Sequence, residues 1–125
     1  MRLPQWEVEF YEKANGDCPV QEFLDDLQAE DHRRVNNAIE RLEEHGLALI
    51  ADRDYVAYLR DDIYELRVRV RKVRYRLLFF ICERVTPVVL HAIKKKSGDV
   101  TDQDIDKSIE RKNDYLARKR RGQQL

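Results

Sequence analysis

The chain has 125 residues, of which 42% are apolar and 38% charged, and its 24 basic and 24 acidic side chains cancel. That length suits one domain and is too short for two comfortable ones. Its apolar residues cluster into periodic segments, which excludes a disordered chain, and its longest apolar runs, Leu77 to Cys82 and Val88 to Ile93, fall far short of a membrane span of roughly 18 residues.

The N-terminal residues carry no hydrophobic signal region, so export is not expected. Cys18 and Cys82 lie far apart without a paired metal spacing, and His32, His45 and His91 are scattered. Two free thiols in a reducing cytoplasm, with no metal set, is the setting this composition favours.

The neutral total conceals a division. Residues 1–59 carry a net charge of −8, residues 60–96 of +7, residues 97–106 of −4 and residues 107–125 of +5. A polyanion senses these local fields rather than their sum.

In chain order, alternation of Val8 and Phe10 with Glu7, Glu9 and Tyr11 predicts a first strand. Asn15-Gly16-Asp17 reads as a turn, and Cys18-Pro19 opens a short helix with proline at its first position. Val35, Ala38, Ile39 and Leu42 recur at helical spacing in a longer helix from about Ala29 to His45, with Arg33, Arg34, Asn37, Glu40 and Arg41 facing away from the core and Gly46 as the cap. Residues 47–62 read as loop, with an extended piece near Tyr55 to Leu59. Three strands follow, Ile63 to Arg71, Arg74 to Cys82 and Pro87 to Lys95. Thr101 and Asp104 form a variant capping box for a last helix, striped by Ile105, Ile109 and Leu116. From about residue 117 the basic run Arg118-Lys119-Arg120-Arg121 reads as a frayed tail. This order gives an α+β fold: an antiparallel-rich sheet of about four strands, N-terminal helices packed on one face, and a C-terminal helix.

The stretch that carries chemistry is Ile63 to Arg71. Side chains alternate across a strand, so Tyr64, Leu66, Val68 and Val70 face a core while Glu65, Arg67, Arg69 and Arg71 face the other way. A row of like charges costs stability unless an anion answers it. The next strand adds Arg74 and Arg76, with Tyr75 between them, and the third adds Lys94, Lys95 and Lys96 at its end. Guanidinium forks grip phosphate through paired hydrogen bonds, and a tyrosine ring can stack on a base, so such a face suits single-stranded RNA. Solvated charges that protect the sheet, or ion pairs to the acidic helices, would explain the same row without a ligand. Tyr75 fits the core as well as a base platform. His91 fits either a buried, hydrogen-bonded role or general acid–base work.

Tyr64-Glu65-Leu66-Arg67, Tyr75-Arg76 and Leu90-His91-Ala92-Ile93-Lys94-Lys95-Lys96 resemble the phage-derived branch of the RelE/HigB toxin superfamily. Gly16 through Leu27 resembles its first helix, and Asp104-Ile105 with Glu110-Arg111 its closing helix, so the resemblance spans roughly residues 6–115. Where relatives often carry glycine in the turn after the Tyr-Glu-Leu-Arg strand, this chain has Arg71-Lys72-Val73. The resemblance implies a RelE-like fold and the toxin of a type II toxin–antitoxin pair. It further implies a ribosome-dependent mRNA endonuclease, neutralised by a cognate antitoxin of helix-turn-helix type, that needs neither a metal nor a small-molecule cofactor. The RNA 2′-hydroxyl would attack the adjacent phosphate. Arg67, Arg76, Lys95 and His91 are then the expected catalytic residues. Arg69, Arg71, Arg74, Tyr75, Lys94 and Lys96 are the expected RNA contacts. A non-catalytic RNA clamp and a protein-interaction module remain open as uses of the same face.

Overall fold

A computed structural model describes residues 6–123; the first five residues, read above for an export signal, and the last two lie outside them. The strands are β1 (Glu9–Phe10), β2 (Val56–Arg60), β3 (Ile63–Val70), β4 (Val73–Cys82) and β5 (Thr86–Lys95). The helices are α1 (Pro19–Asp25), α2 (Ala29–His45), α3 (Leu47–Ile50) and α4 (Asp102–Gln123). One five-stranded sheet has the order β1-β5-β4-β3-β2, antiparallel throughout except for β1, which pairs parallel with β5. The sheet has five strands rather than about four, because the extended piece expected near Tyr55 to Leu59 pairs with β3 as β2.

The β4 sequence explains the layering. Its run Leu77-Leu78-Phe79-Phe80-Ile81-Cys82 is apolar at every position, so both faces of the strand must be covered. On one face Leu77, Phe79 and Tyr75 pack with Leu66, Val68 and Val70 of β3 against Val20, Leu24, Val35, Ile39 and Leu42 of α1 and α2. On the other face Leu78 and Phe80 join Ile63, Val88 and Leu90 against Ile105 of α4. Each large apolar side chain buried in this way contributes roughly 1.5–3 kcal/mol.

α4 starts as the sequence predicts: Thr101 Oγ1 and Asp104 Oδ2 are 2.7 Å apart, and the Asp104 N–H donates back to Thr101 Oγ1. The basic stretch from residue 117, expected as a tail, instead continues the helix. Arg118 binds Asp114 at 2.8 Å, also donates to the Glu12 carbonyl, and lies over the Tyr11 ring, which anchors these turns to the chain beside β1.

The hairpins turn without glycine. Asp61 and Asp62, at φ 52° and 66°, both take the left-handed backbone that a two-residue I′ turn demands, which aspartate tolerates. Arg71 alone is left-handed (φ 56°) between Val70 and Val73, the pattern of a II′ turn.

Gly46, at φ 49°, ends α2 against the indole of Trp6, where an added Cβ would lie 3.0 Å from two ring carbons. Gly46→Ala therefore combines backbone strain with overpacking and is expected to cost about 2–3 kcal/mol. Urea unfolding of the variant checks this; an unchanged midpoint would show that Trp6 yields freely.

Candidate RNA-binding face

The registers place the predicted cations. Arg67 stands directly opposite Arg76, Arg69 opposite Arg74, and Arg74 opposite Lys95. These five share the sheet face that carries α4. The helix covers only the half around Leu78, Phe80 and Leu90, and leaves the arginine half open. Like charges in direct cross-strand register repel one another, so this half of the sheet is held against its own electrostatics.

One carboxylate answers part of that charge. Glu65 alternates onto the same face but is buried, with 2% of its side chain exposed. Its Oε1 accepts from Arg67 Nε at 2.7 Å and from Arg76 Nη1 at 2.7 Å. Arg76 is also buried, at 6%, whereas 43% of the Arg67 side chain remains exposed. The shared carboxylate fixes two guanidiniums side by side. Arg67 Nη1 also donates to the Arg53 carbonyl at 3.3 Å and Arg76 Nη2 to the Gly98 carbonyl at 3.5 Å, which leaves Arg67 Nη2 and Arg76 Nε without a partner among the described residues. Among the described residues Arg69, Arg74 and Lys95 have no ion-pair partner.

Four predicted contacts lie elsewhere. Arg71 is in the β3–β4 turn and reaches the other side of the sheet, where Glu30 at 2.9 Å and Asp31 at 3.3 Å hold it. For this arginine the ion pair to an acidic helix is the correct reading. Tyr75 points into the α2 core, fully buried, and donates to Asp31 at 2.5 Å; burial first, then Asp31, pushes its pKa up to about 12. It is not a base platform. Lys94 pairs with Tyr75 and so alternates onto the α2 face, and Lys96 lies beyond the end of β5.

His91 lies opposite Leu78, two residues along β4 from Arg76, on the face with the arginines. Its Nε2 is 3.0 Å from Asp104 Oδ1 in the first turn of α4. Burial pushes its pKa below 6.5, Asp104 only partly offsets this, and Arg111 and Lys107 push the same way. For Asp104, burial acts upward, but hydrogen bonds from Thr101 and His91 outweigh it and hold the carboxyl below its usual value. A neutral imidazole beside an ionised carboxylate donates from Nε2, which leaves Nδ1 as an acceptor. The unfolded chain binds a proton near pH 6.5 that the folded chain resists. Stability from His91 is therefore full above that pH and is lost as pH falls through the folded value. Urea midpoints at pH 7.5, 6.5 and 5.5 should fall less in His91→Gln than in the parent; equal falls would assign the effect to other groups.

The alternation of the strands did not reveal that α2, predicted as a helix, contributes to this surface. A cleft of about 690 Å³ lies beside β3, and besides Arg67, Arg69, Arg74 and Arg76 it is lined by Arg33, Arg34, Asn37 and Arg41. These residues do face away from the core, but toward the cleft rather than open solvent. Their positions at i, i+3 or i+4, and i+7, with no acid among them, were the available signal.

Among the described residues no group of three His, Cys, Asp or Glu side chains is placed to hold a metal, and no helix is long and apolar enough to cross a membrane. A family model described as Phage derived protein Gp49-like (DUF891) matches residues 22–113. The chain belongs to the Gp49-like family. The match runs from α1 into α4 and takes in every cation of the open face. Gp49-like proteins are a toxin-related family of the RelE type, associated with toxin–antitoxin systems, for which an antitoxin is the natural partner. No curated protein matches the chain.

Proposed function

We propose that this Gp49-like protein is a HigB-type toxin that cleaves mRNA on the ribosome in the cytoplasm, and that a helix-turn-helix antitoxin neutralises it. The observation that carries the reading is the convergence of Arg67, Arg69, Arg74, Arg76 and Lys95, from three adjacent strands, on the half-face that α4 leaves uncovered.

Cleavage in this scheme is an internal displacement. The RNA 2′-oxygen loses its proton and bonds to the adjacent phosphorus, the bond to the 5′-oxygen breaks, and that oxygen takes up a proton. The products are a 2′,3′-cyclic phosphate and a 5′-hydroxyl. Arg67 and Arg76, aligned by Glu65, hold the phosphate and offset the charge that grows on its oxygens. Lys95 adds a third positive group from β5. His91, neutral and oriented by Asp104, offers Nδ1 as a proton acceptor at the edge of the patch. Arg69 and Arg74 hold flanking phosphates.

The engagement of both Arg67 and Arg76 by Glu65 favours a second reading, a clamp that binds RNA without cutting it. A translating extract separates the two. Message fragments with cyclic-phosphate ends and growth arrest on induction support the endonuclease. Salt-sensitive RNA binding with intact message supports the clamp. Binding to an acidic protein partner without RNA affinity would overturn both.

A further inference from the structure

We propose that the arginine flank of α2 is a second RNA-binding wall, in which Arg33, Arg34 and Arg41 hold phosphates beside the sheet patch and Tyr55 stacks a base. This rests on the RNA reading of the sheet face and extends it to residues outside the strands.

Four observations carry the proposal. First, the three arginines line the same cleft as Arg67, Arg69 and Arg74, so the two sets form one surface. From Arg34 to Arg41 the row runs roughly 10 Å along the helix, more than one phosphate can occupy. Second, these cations are little engaged inside the molecule. The Arg34–Glu30 pair is exposed and 3.8 Å long, and among the described residues Arg33 and Arg41 have no ion pair.

Third, the edge of β3 is open here. β2 pairs with β3 only as far as Val56 and Leu66, after which the Arg67 N–H reaches the Tyr55 carbonyl. The Arg69–Arg74 pair is next but one to that contact in the β3–β4 alternation, so the Arg69 N–H faces the cleft as a further phosphate donor. Fourth, Tyr55 lies in the wall, 39% exposed, with the Arg41 guanidinium 5.3 Å from its ring centroid.

The other wall residues favour RNA over an acidic peptide. Asn37, Asp54 and Asp99 place acceptors in the cleft. Acceptors match the exocyclic amines of bases, hydrogen-bond donors that glutamate side chains do not offer.

The test uses the full chain and a labelled single-stranded RNA of about a dozen nucleotides, with anisotropy read across a salt series. In Arg33→Ala/Arg34→Ala/Arg41→Ala, affinity should fall at least about tenfold. Its log K against log salt slope should shrink by about 2, since each phosphate contact on a single strand carries about 0.7. Tyr55→Ala should weaken binding at least about fivefold at unchanged slope, and Tyr55→Phe should restore it. Lys72→Ala/Arg84→Ala/Arg121→Ala removes the same charge elsewhere and should change little. If the α2 variant matches this control while Arg69→Ala/Arg74→Ala loses binding, the second wall is wrong and the sheet reading stands. If Arg69→Ala/Arg74→Ala also binds fully, the sheet reading itself fails. If the α2 variant loses poly-glutamate binding but keeps RNA binding, the wall serves a protein partner and the proposal is overturned.

Discussion

Glu65→Ala is expected to destabilise the protein by about 3–5 kcal/mol, the cost of removing one partner from a buried ion pair. The reason is Arg76. Its side chain is 6% exposed and its one ion pair among the described residues is with Glu65 at 2.7 Å, so the alanine leaves a largely buried guanidinium facing Arg67 across the strands with a long contact to the Gly98 carbonyl in place of its carboxylate. For a chain of this size the loss corresponds to a fall in Tm on the order of 10–20 °C. Glu65→Gln keeps an acceptor oxygen but loses the charge, so its loss should be smaller. Thermal melts of the three proteins decide the matter: equal Tm values would mean that water or another acceptor compensates Arg76. RNA affinity should move the other way in the folded glutamine variant, because one negative charge has left the patch. Cleavage should nevertheless fall, because the carboxylate that aligns both forks is weakened.

The largest effect on activity is expected at Arg67. Arg67→Ala should lower mRNA cleavage about 10²–10³-fold, the usual loss when one donor to a developing oxyanion is removed. Its side chain is 43% exposed and Glu65 keeps its bond to Arg76, so unfolding should change by no more than about 1 kcal/mol. Arg76→Ala is a poorer probe, because it also strips a buried carboxylate of its second partner. Arg76→Lys retains the charge and loses the planar fork, so a comparable loss of cleavage would assign the role to geometry rather than charge. Full cleavage by a folded Arg67→Ala/Arg76→Lys protein would remove both arginines from the mechanism. The readout is the yield of cyclic-phosphate fragments in a translating extract, with viability after induction as its cellular counterpart.

Legibility in the sequence followed the range of the interactions. α2 was readable to its ends because its apolar stripe is local and Gly46 marks its stop. The Thr101–Asp104 cap was readable because it spans three residues. β2 was legible only as an extended piece near Tyr55 to Leu59, since five residues with no strict alternation become a strand of the sheet only by pairing with β3. The arginine row was visible in the alternation of β3. Which of its members stay on the open face was not, because Arg71 leaves the strand at a left-handed turn that no glycine announces.

By itself, the sequence determined the alternation that gives β3 and β4 a cationic stretch, the helices that bury the opposite face, and the motifs of the toxin-related family. Periodicity and capping are properties of neighbours along the chain, so they are written in it directly. Tertiary structure alone decided that α4 shields half of the cationic face, that Glu65 is buried between two arginines from different strands, and that α2 lends its arginines to the same cleft. Those facts depend on strand register and on where a helix stops covering a sheet, and both are set by packing between residues far apart in the chain.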